Sequence, residues 1–280
     1  MFNNIYKGKK VLITGNSGFK GSWLSMWLDK LGADIYGASI DTPTSPSIFE
    51  SLNLEEKINY FKLDIKNNDS INKLINEIQP DFLFHLAAQS LVSKSYDDPI
   101  ETISTNVMGT ANILDSLRFL KKKCVSVIIT SDKCYNNVEW VWGYKETDSM
   151  GGKDIYSGSK GAAEIIFNSY FNSFLKQSSN IKIASARAGN VIGGGDYSKN
   201  RLVPDIIESM SGRKKLIIRN PNYIRPWQHV IEPLIGYLML AKSQYKNLKN
   251  QKHSWNFGPR KENFKKVIKV INIMKGFKNF

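Results

Sequence analysis

Cysteine is scarce in this chain and long apolar runs are missing. Its 280 residues include two cysteines, Cys124 and Cys134. They flank the strand-like segment 125–130. Extended, that spacing amounts to about 30 Å, too far for a disulfide. Two unpaired cysteines fit a reducing cytoplasm. The start, Met1-Phe2-Asn3-Asn4, lacks the apolar stretch of a signal peptide. No apolar run reaches the roughly 18–20 residues that a membrane helix needs. There is no internal repeat, no low-complexity tract and no motif that reads as a metal site. A cytoplasmic protein without membrane attachment is expected.

Acidic residues are outnumbered, 25 against 39 basic ones, for a formal charge of +14. Such a balance suits nucleic acid, an anionic membrane or an anionic substrate. The basic residues are spread along the chain, and the one run, Lys121-Lys122-Lys123, is short. A solvated surface is therefore expected, with no nucleic-acid partner. A phosphate-bearing substrate would use a few of the charges. The hydrophobic share, 41%, is that of an ordinary globular protein.

What is present is an alternation of short apolar strands and amphipathic helices. Strands are expected over 11–14, 35–40, 58–63, 82–87, 125–130 and 181–186. Helices are expected over 23–31, 70–78 (capped by Asp69 or Ser70), 99–119 and 156–175. Apolar strands alternating with helices predict a doubly wound parallel sheet of the Rossmann type, covered on both faces. After about Asn190 the texture changes, with Gly193-Gly194-Gly195 and several prolines. Residues 1–188 read as the dinucleotide-binding domain. Residues 189–280 read as a smaller substrate-binding region interleaved with it, its segments 216–218 and 231–240 returning to the main body.

The first strand runs into Thr14-Gly15-Asn16-Ser17-Gly18-Phe19-Lys20-Gly21. Gly15 allows a tight turn, Gly18 lets backbone approach a diphosphate, and Gly21 lets the helix pack on the sheet. The helix N-terminus offers unpaired N–H groups to the phosphates. The second strand ends in Asp41, 20 residues past Gly21. A carboxylate there accepts ribose hydroxyls and repels a 2′-phosphate, which favours NAD. Asp64 ends the third strand. It either reads the adenine edge or caps the following loop. Small residues at 87 and 88 leave room for a cofactor, and His85 reads as structural.

Tyr156 and Lys160 form Tyr-x-x-x-Lys on one helix face. A lysine beside a phenol lowers its pKa, so the tyrosine can act as a base. Ser131-Asp132-Lys133 closes the fifth strand, where open sheets place their chemistry. Asp132 and Lys133 are a surplus acid and base beyond what a simple dehydrogenase needs.

These residues resemble the extended short-chain dehydrogenase/reductase family, and within it the nucleotide-sugar 4,6-dehydratases, the CDP-glucose enzymes best of all. The carrying segments are Thr14-Gly-Asn-Ser-Gly-Phe-Lys-Gly-Ser-Trp23, His85-Leu-Ala-Ala-Gln89, Thr105-Asn-Val-Met-Gly109, Thr130-Ser-Asp-Lys-Cys-Tyr135, Tyr156-Ser-Gly-Ser-Lys160, Arg187-Ala-Gly-Asn-Val-Ile-Gly193 and Arg225-Pro-Trp-Gln-His-Val230. The resemblance implies conversion of CDP-glucose to its 4-keto-6-deoxy product by internal hydride transfer through NAD, a lyase reaction serving deoxysugar and surface polysaccharide synthesis. It implies Ser131, Asp132, Lys133, Tyr156 and Lys160 as catalytic, with Asp132 the acid and Lys133 the base. Both roles call for shifted pKa values, Asp132 up and Lys133 down. Cofactor contacts are implied for Gly15, Ser17, Gly18, Phe19, Gly21, Asp41, Asp64, Ile65, Leu86, Ala87, Ala88, Tyr156 and Lys160. Gln89, Asn190 and Arg225 are implied to hold the substrate, while Thr105 and Asn106 brace the site. A homodimer through the two long helices is expected. The chain reads as short for the family, with a helix beginning near Glu262 and a final part of the substrate region missing.

Overall fold

The computed structural model describes residues 2–213, 215–246 and 252–277. Strands β1 (Lys10–Thr14), β2 (Asp34–Ser39), β3 (Asn59–Lys62), β4 (Phe82–His85), β5 (Cys124–Ile129) and β6 (Ile181–Ala188) follow one another with helices between them. Short strands β7 (Val191–Ile192), β8 (Ile224–Pro226) and β9 (Gln228–His229) come next, then β10 (Ser254–Phe257) and β11 (Phe264–Lys266). The helices of the first half are α1 (Phe19–Lys30), α2 (Ile48–Ser51), α3 (Leu54–Lys57), α4 (Asn68–Ile78), α5 (Val92–Asp97), α6 (Pro99–Ile103), α7 (Gly109–Arg118) and α8 (Ile155–Tyr170). Those of the second half are α9 (Leu202–Met210), α10 (Ile231–Tyr245) and α11 (Val267–Gly276).

Seven parallel strands form the sheet, in the order β10-β6-β5-β4-β1-β2-β3. The first six expected strands are present within a residue or two at each end. The seventh, β10, is a correction to the expected sheet: it pairs with β6 in parallel register, Ser254 opposite Ser185. Residues 254–257 read Ser-Trp-Asn-Phe, too polar to look like a core strand, and pairing rather than pattern recruits them. Helix α10 also returns to the main body and packs on β5 and β6. Segment 216–218 does not join the sheet.

Both faces of the sheet are covered. One core joins Val11, Ile13, Phe82 and Val127 to α1 and α10. The other joins Leu12, Leu83 and Ile128 to α4, α7 and α8. Burial of these two apolar sets is the main force holding the layers together. Both cysteines are free and buried.

Each long helix contains a wide turn. Residues 99–118 run as α6, a π-helical segment Ser104–Met108, and α7, while α8 continues into a second π segment, Phe171–Leu175. Such bulges often mark functional positions, and the first carries Thr105 and Asn106. Helix α4 begins two residues earlier than expected. Its cap is Asn67, whose side chain accepts the Ser70 N–H at 3.0 Å, rather than Asp69 or Ser70. The late helix expected near Glu262 is α11, and the chain's last three residues, 278–280, lie outside the described residues.

Strand order reverses between β1 and β4, which are neighbours in the sheet. That is the topological switch point of a doubly wound fold, and crevices form there at the carboxyl ends.

Candidate active site

The glycine turn leaves β1 at this switch point. Gly15 has φ +74°, and an added Cβ would lie 2.6 Å from the Ala87 nitrogen. A Cβ on Gly21 would collide with the Gly15 carbonyl, so α1 sits hard against the turn. Gly18 caps α1 in an extended conformation, no side chain caps the helix, and its first turn holds no acid. Bare N–H groups facing open space suit the diphosphate of a dinucleotide. Phe19 is the first helical residue.

Ser17 stiffens the turn. Its N–H donates to Ser39 Oγ at 3.2 Å and its hydroxyl to the Asp41 carbonyl at 2.5 Å. That ties the turn to the end of β2 and leaves the Asp41 carboxylate exposed. Leu86, Ala87 and Ala88 form a half-buried ledge after β4, with Leu86 and Ala87 bonded back to Thr14.

Asp64, Ile65 and Gln89 all make contacts within the fold. Asp64 Oδ1 accepts the Lys66 N–H at 2.9 Å, the loop-capping alternative. Ile65 is buried in the core against Gly109. Gln89 does not offer its amide to the crevice. Its Nε2 donates to the Leu91 carbonyl and Thr102 Oγ1, and its Oε1 accepts the Leu91 N–H. Gln89 is thus a brace, a correction with a plain cause: a buried amide satisfies its donors and acceptor internally. Asn106 completes the brace, accepting the Gln89 N–H at 2.8 Å and donating to Ser159 Oγ at 2.9 Å. His85 is likewise structural. It bridges Thr14 and Thr110, and burial pulls its pKa down to about 3.

The catalytic candidates converge at the end of β5. Ser131 Oγ donates to Asp132 Oδ1 at 3.1 Å, and Lys133 Nζ lies 3.0 Å from the same oxygen. Lys133 Nζ also donates to Asn190 Oδ1 at 3.0 Å. Asp154 caps α8, holding Tyr156 and Lys160 in its first turns. Lys160 Nζ lies 6.0 Å from the Tyr156 ring centroid.

The electrostatics differ from expectation at two residues. Burial raises the Tyr156 pKa. It is opposed first by the Lys133 charge and then by the hydrogen bond to Ser131, so Lys133 rather than Lys160 is the chief cation on this phenol. Burial alone would lower the Lys133 pKa, but the Asp132 carboxylate and the Tyr156 phenol outweigh it. The net direction is up, opposite to the depression expected of a base. Lys160 follows the usual rule of desolvation, pulled down to about 8 by burial.

Beneath this site lies a second ion pair. Arg187 Nη2 meets Glu164 Oε2 at 2.7 Å, both side chains essentially fully buried. Glu164 also accepts Thr130 and Ser185 hydroxyls, while Arg187 Nη1 donates to Tyr135 Oη and the Glu146 carbonyl. The network binds the ends of β5 and β6 to α8.

Arg225 is exposed on β8, its guanidinium 5.3 Å from the Tyr223 ring centroid. Its charge acts on Lys133, after Asp132 and Tyr156 in size. Lys20, over the Tyr237 ring, and Arg201, paired with Asp196 at 3.1 Å, add charge to the same groups and carry no motif signal of their own. Arg201 acts on Tyr156 and Lys20, and Lys20 acts among Asp132, Lys133 and Lys160. A lysine inside the glycine motif, where an apolar residue would pack as well, was the available clue. Trp227 and His229 are packing residues: Trp227 donates to the Lys265 carbonyl, and His229 stands edge-on to Trp23.

A doubly wound sheet with a glycine turn at its switch point and a Ser-Tyr-Lys set beside it defines an extended short-chain dehydrogenase/reductase. Comparison with known proteins narrows this. The family described as GDP-mannose 4,6 dehydratase matches residues 12–276, and the chain belongs to it. The chain is 48% identical over 275 residues to the CDP-glucose 4,6-dehydratase of Salmonella typhimurium, covering 97% of this chain and 77% of that protein. Solved structures of the same fold include the UDP-glucose 4-epimerase of Thermotoga maritima with UDP-glucose (TM-score 0.81, 19% identity, 97% of this chain and 83% of that one). Another is the UDP-glucose 4-epimerase of Thermus thermophilus in complex with NAD (TM-score 0.78, 20% identity, 96% and 83%).

Proposed function

We propose that this chain is a nucleotide-sugar 4,6-dehydratase acting on CDP-glucose with NAD as a borrowed cofactor. One observation carries the reading: a carboxylate–ammonium pair, Asp132–Lys133, bonded to Ser131 and acting on Tyr156 at the end of β5. An epimerase needs only the Ser-Tyr-Lys set. An added acid and base suit the removal of water.

A bound nicotinamide dinucleotide would supply the hydride acceptor at the first step and the donor at the last. Gly18 and the bare N-terminus of α1 would hold its diphosphate, Asp41 its ribose, and Lys160 the second ribose. Tyr156 takes the proton of the sugar 4-hydroxyl, with Ser131 orienting that oxygen. The resulting 4-keto group acidifies C5–H. Asp132 and Lys133 together hold one proton at their 3.0 Å contact. Passing it from Lys133 Nζ to Asp132 Oδ1 makes a neutral amine and a carboxylic acid. The amine removes the C5 proton while the acid protonates the departing 6-hydroxyl. Asn190 and Arg225 are assigned to the substrate diphosphate, for which a guanidinium fork is well suited.

The same reading makes residues 189–280 the substrate-binding region. It places the protein in the cytoplasm, where nucleotide sugars are made, with surface-polysaccharide deoxysugar synthesis as its purpose. It pairs two copies through the long helices, which expose Ile100, Met108, Phe119, Ile165 and Phe174. Among the described residues, no helix is long and apolar enough to cross a membrane.

Incubation with NAD and, separately, CDP-, dTDP-, GDP- and UDP-glucose tests the proposal by mass spectrometry. Loss of one water from CDP-glucose, fastest of the four, is expected. A C4 epimer of unchanged mass would overturn it.

A further inference from the structure

Glu164 is a buried charge that the reaction above does not use, and three elements that carry the site meet at it. It lies on α8, one turn after Lys160 and two after Tyr156. Its Oε1 accepts the Thr130 hydroxyl from the end of β5 at 2.5 Å. Its Oε2 accepts Arg187 Nη2 at 2.7 Å and the Ser185 hydroxyl at 3.0 Å, both from β6. Ser131, Asp132 and Lys133 directly follow Thr130, and Asn190 lies shortly after Arg187. The groups assigned to proton transfer and substrate holding therefore leave from elements pinned to one carboxylate.

The two oxygens have different neighbours. On the Oε2 side the grip is double, because Arg187 also donates through Nη1 to Tyr135 Oη at 2.7 Å and to the Glu146 carbonyl at 3.0 Å. A carboxylate held by an anchored guanidinium cannot swivel, so Oε1 is a stationary point in the core. Thr130 is itself buried, and its branched Cβ restricts rotation of the hydroxyl. Its N–H donates to the Ala186 carbonyl at 3.0 Å, a strand-to-strand bond. The hydroxyl makes the connection that backbone pairing does not, from strand to helix. Ser131 bonds to Tyr156 and, within its own turn, donates to Asp132 and accepts the Lys133 N–H. A serine that faces a tyrosine on another element needs those two elements in register.

We infer that Thr130 is a positioning residue: its bond to Glu164 sets the register of β5 against α8 and so places Ser131 opposite Tyr156. The inference rests on the proposed reaction, whose first step uses that pair. There the sugar 4-hydroxyl gives its proton to Tyr156 while the C4 hydride passes to NAD, and Ser131 orients the oxygen between them. A displacement of about 1 Å at such a step can cost on the order of 100-fold in rate. Thr130 needs no contact with substrate or cofactor to act in this way. Substrate holding falls to Asn190 and Arg225, and the Oε2 side that leads to Asn190 keeps its bonds when Thr130 loses its hydroxyl.

Stopped-flow single turnovers of the NAD-loaded full chain with CDP-glucose read NADH formation, and calorimetry reads the CDP-glucose dissociation constant. Thr130→Val keeps the side-chain shape without the hydroxyl, and should slow NADH formation by about 10–100-fold while leaving the dissociation constant within about twofold. Thr130→Ser keeps the hydroxyl and should stay within about threefold of the wild-type rate. Ser185→Ala removes a bond to the same carboxylate from the middle of β6, beside no residue of the site, and should leave the rate within about twofold. A bond that only stabilises the fold gives another pattern: Thr130→Val and Ser185→Ala are both less stable, and both react at the wild-type rate. That pattern overturns the inference, as does a Thr130→Ser rate as low as that of Thr130→Val. Should Thr130→Val not fold, Thr130→Ala takes its place, and a Thr130→Ser loss beyond about tenfold overturns the inference by itself. If the wild type forms no NADH with CDP-glucose, the reaction reading itself fails, a distinguishable result.

Discussion

Two carboxylate–cation pairs adjoin the end of β5, one directly after it and one bonded to Thr130 from α8 and β6, and they are built in opposite ways. Glu164–Arg187 is sealed: its side chains are 0% and 1% exposed, and hydroxyls and a carbonyl take up further bonds, with Arg187 Nε left unpartnered in the core. Asp132–Lys133 is open: its side chains are 38% and 35% exposed, and the neighbours are a serine, an asparagine and the crevice. The same chemistry serves architecture in one place and reactivity in the other. What separates them is whether a lone pair or proton can be reached from the crevice. A sealed pair cannot exchange its proton with a substrate, and an open pair can.

The largest expected effect tests the open pair. Lys133→Met should lower dehydratase turnover by about 10²–10⁴-fold, the usual worth of a positioned acid–base group. It should leave urea-unfolding stability within about 0.5 kcal/mol, since the side chain is not sealed in. It should also move the acid limb of the first oxidation, where the Tyr156 phenol must be deprotonated to act as base, to higher pH, because Lys133 is the chief charge lowering the Tyr156 phenol. Single-turnover NADH absorbance across pH reads this directly. A limb that stays in place would return the tuning role to Lys160.

The sealed pair should behave in reverse. Arg187→Met strands the Glu164 carboxylate in the core and should cost about 3–5 kcal/mol of stability, read by denaturant midpoint. A loss no larger than that of Lys133→Met would end the contrast between the pairs. This pair also shows what the sequence hides. The six strands, the glycine turn and Tyr156–Lys160 were legible because apolar runs and fixed spacings announce them. Glu164 and Arg187 sit 23 residues apart on a helix and a strand, and no periodicity links them. β10 was illegible for a similar reason: its Ser-Trp-Asn-Phe joins the sheet by backbone pairing. Gln89 lay in a recognisable motif, but only the fold reveals that its amide is spent on Leu91 and Thr102. The direction of the Lys133 shift needed its neighbours, not its type.

A buried group without any ion pair sharpens the sealed case. His85 is neutral between two threonines, its pKa held near 3 against an ordinary 6.5. The unfolded chain therefore binds a proton more readily than the native one as pH falls below 6.5. The neutral histidine's stabilising contribution is present above 6.5 and is lost on acidification toward 3. The slope should approach about 1.4 kcal/mol per pH unit from this residue. His85→Gln should flatten the stability–pH curve between 6 and 4, measured by urea unfolding at each pH. An unchanged slope would assign the acid sensitivity to the carboxylates.

The smallest expected effect supplies a baseline for both pairs. Lys73 and Glu77 face each other on α4 at 4.0 Å, with 76% and 62% of their side chains exposed. Water screens such a pair, and holding two long side chains together offsets most of the attraction. The order is also unfavourable, since an acid preceding its base is the better arrangement at this spacing. Glu77 further lies in the last turn of α4, where the helix dipole disfavours a negative charge by a few tenths of a kcal/mol. The attraction and the dipole penalty are of similar size and opposite sign. Glu77→Gln should then leave the unfolding midpoint unchanged or raise it slightly. A clear loss would mean that exposure alone does not grade these ion pairs, and that the difference between Glu164–Arg187 and Asp132–Lys133 lies in their partners rather than in their burial.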